Sequence, residues 1–443
     1  MKLPNPDDYI KLFNIKESVF SCYPEIIQRE SMTIDGYPNI ELVYIDGQFF
    51  FLREDMNKYE YPDDEMHKAL DLVKERGEAF ELHSSKLNKD YSNATEEELD
   101  KGIAKVIDLW STYVRTVDIP VYMSHFFEGK VLKMMYDVGF TGHDFDILTH
   151  PLNNIFHRRR KRDFALLKLG KLTKEEFYEK WKWSEMVLYQ KKFVDEKFIE
   201  DQLNHIEDAN TVIEELDSNH EKAKEEYDVL YSKLPEELKK KADLIQKFLY
   251  VRDYRFELAI RGGFTTLPLF DAVAKKRNIS FNQLIFSSPP EILRKEVSTD
   301  VDKRIKGYVF YKGKIYVGEE MLEWKKHFNK KHKLNEIKGK GVSKGKVIGR
   351  AKIVMSADEA GKIEKGDIIV CDITTPDYMH ALHTVSAIVA NIGGFTSHSA
   401  IVAREFNIPC VVGTGNATNV FEDNEIIEVD ADNGIVRKIL DDK

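Results

Sequence analysis

Cysteine is scarce in this sequence. Cys22, Cys371 and Cys410 are the only three among 443 residues. They are too few and too scattered for a disulfide framework or a structural zinc site, and they fit a reducing, cytoplasmic setting. Long apolar runs are missing as well. No stretch approaches the ~18 uninterrupted apolar residues of a membrane span, and residues 1–10 lack the apolar core of a signal peptide. A basic excess is also absent: 66 Lys and Arg stand against 76 Asp and Glu, a formal net charge of −10. A phosphate backbone demands a basic surface, so the acidic balance argues against a general nucleic-acid binder. What is plentiful is core material, at 42% hydrophobic residues. The length predicts two or three folded domains, and there is no internal repeat or low-complexity tract.

Along the chain, residues 40–53 read as a β-hairpin turning at Asp46-Gly47, and 308–317 as a second turning at Lys312-Gly313. Helices dominate from Pro62. Thr95 and Glu98 form a capping box, followed by Leu99, Ile103, Val106, Ile107, Trp110 and Val114 on one helical face. Further helices are expected over 173–189, from Asp195 with an acidic surface over 207–226, and from Pro235 to Arg261, where Gly262-Gly263 stops or bends the chain. Another follows over 270–277. The texture changes near residue 328. A short basic run gives way to β-branched segments separated by glycines, with one helix over 399–406 among them. The fold class expected is α+β and multidomain. A mainly helical body with small β-hairpins (1–328) is joined by a basic hinge (329–341) to a compact C-terminal domain (342–443).

The 13 histidines are uninformative as a count, but one has telling neighbours. In 391–418, NIGGFTSHSAIVAREFNIPCVVGTGNAT, a strand ends at Gly393-Gly394 and an amphipathic helix begins at once, with Ile401, Val402 and Phe406 on its buried side. His398 therefore opens a helix, where free N–H groups and the dipole favour an anion. Gly394 permits close backbone approach, and Thr396, Ser397 and Ser399 offer hydroxyl donors. An imidazole with a pKa near 6.5 is largely neutral and nucleophilic at pH 7. A nucleophile placed where an anion is welcome suits a transient phosphohistidine. The plainer reading is a surface histidine capping a helix.

The flanking residues favour the first reading. Gly393-Gly394-Phe395-Thr396-Ser397-His398-Ser399-Ala400-Ile401-Val402-Ala403-Arg404-Glu405, then Ile408-Pro409 and Val411-Val412-Gly413, closely resemble the phosphohistidine (swivelling) domain of the PEP-utilising enzymes. That family includes PEP synthase, pyruvate phosphate dikinase and rifampin phosphotransferase. Ser399 replaces the usual Ala and Asn407 the usual Gly. Gly341-Val342-Ser343-Lys344-Gly345 with Gly349, and Thr374-Thr375-Pro376-Asp377, resemble earlier parts of the same domain. The resemblance implies a β/β/α domain in which His398 is phosphorylated, with Thr396, Ser397, Arg404, Thr374, Thr375 and Gly394 supporting the phosphate.

Members that complete a reaction also carry an ATP-grasp domain that transfers the β-phosphoryl group of ATP, and dikinases add a barrel of about 250 residues. Neither is recognisable in this sequence. The order of helical body, hinge and histidine domain resembles rifampin phosphotransferase without its ATP domain. It also resembles two-subunit dikinases such as phenylphosphate synthase. The implied arrangement is a phosphotransferase component. ATP and Mg2+ reside on a separate ATP-grasp subunit, no metal or other cofactor is assigned to this chain itself, and the phosphoryl group passes to a small-molecule acceptor in the helical body. No nucleic acid or membrane is expected as a partner.

For the acceptor site the sequence offers Arg252 and Arg255, on one face with Ile245, Phe248, Leu249, Phe256 and Ala259. Arginines on an apolar face need anionic partners. These are either a bound acceptor or the carboxylates of Asp253, Glu257 or a neighbouring helix. The run His157 to Arg162 reads as a solvated face or docking surface, Trp181 and Trp183 as core or interface aromatics, and His380 and His383 as surface residues. The alternative function is a phosphocarrier or regulatory module with no acceptor chemistry of its own.

Overall fold

The computed structural model describes residues 3–14, 20, 40–186, 191, 193–204, 206–328, 334–355, 357–372, 384–395 and 397–439. Its first sheet has five strands: β1 (Tyr9–Asn14), β2 (Leu42–Ile45), β3 (Gln48–Leu52), β4 (Val309–Tyr311) and β5 (Lys314–Tyr316), in the order β1-β3-β2-β4-β5. Both hairpin turns have left-handed central residues, Asp46 (φ 42°) and Gly47 (φ 103°), then Lys312 (φ 45°) and Gly313 (φ 73°). Two such residues give the turn whose twist matches the strands. The hairpins, read separately from the sequence, join edge to edge as Tyr44 pairs with Phe310 and Ile45 with Val309. Side chains alternate between the two faces. Leu42, Tyr44, Phe49, Phe51 and Phe310 enter the main helical core, whereas Val43, Ile45, Phe50 and Val309 meet Trp324 and Phe328.

The helical body comprises α1 (Asp63–Ser85), α2 (Glu96–Val117), α3 (Ile119–Asp137), α4 (Gly142–Leu148), α5 (Phe156–Lys168), α6 (Lys174–Trp181), α7 (Glu196–Asn204), α8 (Ala209–Lys233) and α9 (Glu236–Lys276). The capping box at Thr95 is present, and the six predicted apolar positions of α2 are buried. The helix expected over 173–189 ends at Trp181, and residues 187–190 lie outside the described set. The one expected from Asp195 is two helices, α7 and α8. The largest departure is α9. It does not stop at Gly262-Gly263 but runs 41 residues, through both glycines and Pro268, absorbing the separate helix expected over 270–277. The glycines are contact points. A Cβ on Gly262 would sit 2.3 Å from the Phe80 ring of α1, and one on Gly77 of α1 would sit 2.7 Å from Leu258 of α9. Close packing of α9 on α1 outweighs the ~1 kcal/mol that each glycine costs a helix. Trp181 and Trp183 are core, in a cluster with Phe164, Phe177 and Ile260. On the basic run of α5, Arg159 pairs with Glu257, Arg160 with Glu185 and the solvent-exposed Arg162 with Asp217.

The C-terminal domain follows. Its elements are β6 (Glu336–Lys338), β7 (Lys340–Ser343), β8 (Lys346–Val354), β9 (Ile368–Cys371), β10 (Ala387–Ala390), α10 (His398–Glu405), β11 (Cys410–Val412), β12 (Ile426–Asp430) and β13 (Ile435–Lys438). They form an eight-stranded sheet in the order β6-β13-β12-β8-β9-β10-β11-β7. The run β8-β9-β10-β11 is parallel and the pairings around it are antiparallel. β9, β10 and β11 read as continuous apolar runs because both faces are covered. Strand β6 and the first half of β7 fall within residues 329–341, assigned to the hinge from sequence. Residues 336–341 therefore belong to the sheet, and 329–333 lie outside the described set. Among the described residues no helix is long and apolar enough to cross a membrane.

Candidate phosphohistidine site

The site lies where β10 gives way to α10. Asn391 anchors the loop. Its side-chain amide donates to Asp372 (2.5 Å) and Thr418 (2.6 Å), and its Oδ1 accepts the Thr418 N–H (3.2 Å), all buried. Gly393 follows at φ 138°, and a Cβ there would lie 2.8 Å from the Ser397 hydroxyl. The chain then closes a turn, with the Ser397 N–H donating to the Gly394 carbonyl (3.1 Å). Ser397, 2% exposed, caps α10 by accepting the Ala400 N–H (3.3 Å). His398 is thus the first helical residue, as the sequence predicts. Of its side chain, and of Thr396, Thr374, Thr375, His380 and His383, nothing is described.

The remaining candidates meet the helical body. Arg404 lies in the last turn of α10. It donates to the carbonyls of Phe395 (2.6 Å) and Thr149 (3.3 Å) and stands 3.8 Å from Asp146. Its guanidinium thus ties the loop before the histidine to the segment after α4. Beside it, His150 is pushed down to about 4 by burial, then by the charges of Arg404, His220 and Arg158, so it stays neutral. Burial outweighs Arg404 in raising the Asp146 carboxyl. Gly394 does permit a close approach, and the approaching group is Glu128 of α3. A Cβ on Gly394 would be 2.7 Å from Glu128 Oε2, which accepts the Phe395 N–H at 3.0 Å.

Arg252 and Arg255 find their partners on a neighbouring helix, one of the two possibilities the sequence leaves open. Arg252 stands 3.7 Å from Glu128, and Arg255 is 3.1 Å from Asp118, the residue before α3. Burial holds the Arg252 guanidinium below its usual range, against the pull of Glu128. The structure therefore joins two groups of candidates through a residue the sequence reading missed: Arg252 to Glu128, and Glu128 to the histidine loop. A signal existed. Glu128 is the only acidic residue between Asp118 and Asp137, and a lone carboxylate in a buried helix requires partners. Further contacts complete the joint. Lys11 and Gln48 reach Asp372 at the end of β9. The Phe395 ring meets Phe145 edge-on at 5.0 Å, and Lys161 lies 5.1 Å from the Phe406 ring centre.

Comparison with known proteins agrees with this geometry. Residues 363–434 match the family described as PEP-utilising enzyme, mobile domain. Over 100 residues the chain is 48% identical to a probable phosphoenolpyruvate synthase of Methanothermobacter thermautotrophicus, covering 23% of this chain and 15% of that protein. It is 46% identical over 100 residues to one of Archaeoglobus fulgidus, covering 23% and 13%. It is 40% identical over 106 residues to the uncharacterized phosphotransferase YvkC of Bacillus subtilis, covering 24% and 13%. The chain thus spans 13–15% of the length of these relatives. The similarity thus lies in the C-terminal domain, which matches the mobile domain of the PEP-utilising enzymes and is similar to the corresponding part of these synthases and of the phosphotransferase.

Proposed function

We propose that the chain is a phosphotransferase component that works through a phosphohistidine relay. A separate ATP-grasp subunit, holding ATP and Mg2+, supplies the β-phosphoryl group. A ring nitrogen of His398 attacks the β-phosphorus in line, the N–P bond forms as the P–O bond to AMP breaks, the imidazolium proton passes to solvent, and water then cleaves the β–γ P–O bond to release phosphate. The domain then carries the group to a small hydroxyl- or carboxylate-bearing acceptor in the helical body. The acceptor oxygen displaces the imidazole and loses its proton. Thr396, Ser397, Thr374 and Thr375 are the hydroxyls assigned to the phosphate. The observation that carries this reading is His398 at the start of α10, on a loop seated against the helical body at Glu128. A cytoplasmic location suits Cys371 and Cys410, buried free thiols that burial holds protonated.

The test is incubation with an ATP-grasp partner and ATP labelled at the β-phosphate. The wild-type chain takes up acid-labile label and His398→Ala takes up none. Equal labelling of the variant would end the relay reading. A second reading, a phosphocarrier without acceptor chemistry, draws support from one observation. Arg252 and Arg255, the acceptor-binding candidates, are paired with Glu128 and Asp118. Discharge of the labelled chain by a dialysable metabolite fraction supports the enzyme; transfer only to protein supports the carrier.

A further inference from the structure

We propose that Glu128 reads the charge state of the histidine loop: its carboxylate holds the discharged loop on the helical body and is driven off when His398 carries a phosphoryl group. This rests on His398 being the phosphorylated residue. The contact is specific in two ways. Glu128 meets the loop at its backbone, accepting the Phe395 N–H at 3.0 Å and filling the space that a Gly394 side chain would need. It is also buried, its side chain 4% exposed and Arg252 3.7 Å away.

Phe395 precedes the first residue of α10 by three positions, and the turn from Ser397 N–H to Gly394 C=O folds those residues together. A phosphoryl group on the histidine that opens α10 seeks the same cluster of backbone donors, and it brings up to two negative charges. Arg252 offsets the charge of one carboxylate. An anion drawn to the N-terminal turn of α10 and the buried Glu128 carboxylate on the adjoining Phe395 N–H repel one another. The docked arrangement therefore suits the discharged domain better than the charged one. In a relay this has a direction. Once the acceptor has taken the phosphoryl group, Glu128 closes on the Phe395 N–H and opposes back-transfer. Recharging at the nucleotide site requires that contact to open. Glu128 is a positioning residue in this account, acting on His398 through the loop.

The test uses the full chain and chemical phosphorylation. Phosphoramidate donates its phosphoryl group to an imidazole nitrogen as the P–N bond breaks and ammonia leaves, and His398→Ala isolates the contribution of that site from the other histidines. Hydrogen exchange is followed across 119–137 and 391–405. Phosphorylation of the wild type should accelerate exchange at the Phe395 amide and along the docked face of α3 on the order of tenfold or more. Glu128→Gln retains a carbonyl oxygen for the Phe395 N–H but carries no charge, so its exchange should be nearly indifferent to phosphorylation. Gly394→Ala places a methyl group against Glu128 and should open the dock without phosphate, a readout that stands if Glu128→Gln does not fold. Unchanged protection in the phosphorylated wild type, an equal response in Glu128→Gln, or full protection in Gly394→Ala would each overturn the proposal. Because the label is introduced chemically, a failure of ATP-dependent labelling would count against the relay and leave this result readable.

Discussion

Replacing Gly262 by alanine separates two readings of α9. If the glycine pair were a helix stop or a solvated bend, the alanine would be neutral or would stabilise the helix by about 0.5–1 kcal/mol through propensity. In the structure the added Cβ lies 2.3 Å from Phe80 Cε1 and 2.5 Å from Cδ1, well inside contact distance. Phe80 has little room to yield. It is 1% exposed, stacks on Tyr113 with ring centres 5.5 Å apart and meets Trp110 at 5.4 Å. Tyr113 in turn donates its hydroxyl to the Arg255 carbonyl on α9, so displacing the ring strains the same helix pair from both sides. Overpacking of this kind costs about 1–3 kcal/mol. With the propensity gain subtracted, Gly262→Ala should destabilise the body by about 1–2 kcal/mol, a fall of roughly 4 °C in the thermal midpoint followed by far-UV circular dichroism. The double-mutant cycle with Phe80→Leu tests the cause. In the Phe80→Leu background the alanine should be neutral or stabilising. A midpoint that rises on Gly262→Ala alone would refute the packing argument.

Two further outcomes follow from buried charge. His150 is neutral in the fold, with its pKa pushed down to about 4 from the ordinary 6.5. Between those values the unfolded chain binds a proton that the folded chain refuses. Its contribution is therefore intact above pH 6.5, falls as the pH drops towards 4 and is constant below, a loss of about 3 kcal/mol in all. Asp253, raised to about 6 mainly by burial, works in the opposite sense, losing stability as pH rises from 3.8 through about 6. The measurement is therefore the difference between wild type and His150→Leu in urea midpoints across that range; a difference independent of pH would refute the assignment. Arg255→Met removes the cation that stands 3.1 Å from the largely buried Asp118. It should cost about 3 kcal/mol or more, most of it recovered by adding Asp118→Asn. A single variant of near-wild-type stability in urea would show that the pair is solvated.

What was legible in the sequence was local. The hairpins at Asp46-Gly47 and Lys312-Gly313 could be read because the turn residues and the strands they join are neighbours. The joining of the hairpins through Tyr44 and Phe310 could not, since nothing near either residue encodes its partner. The start of α10 was legible for the same reason as the hairpins: the Ser397 cap and the helix it opens are neighbours. The body's half of the site was not. Glu128 meets a backbone N–H 267 residues later, and a backbone donor leaves no trace in residue identity. The two glycine readings show how one residue type carries two kinds of information. At Asp46-Gly47 the glycine is required by its own backbone, with φ 103°, and the local reading is right. At Gly262 it is required by a ring on another helix, and the local reading, a helix stop, is wrong. Gly394, expected from the resemblance to support a phosphate, also lies against another element, since a Cβ there would meet Glu128 of α3. On the proposed relay, the vacancy that would admit an anion on His398 already admits the Glu128 carboxylate, so docking on the body and phosphorylation would compete for one position on the loop.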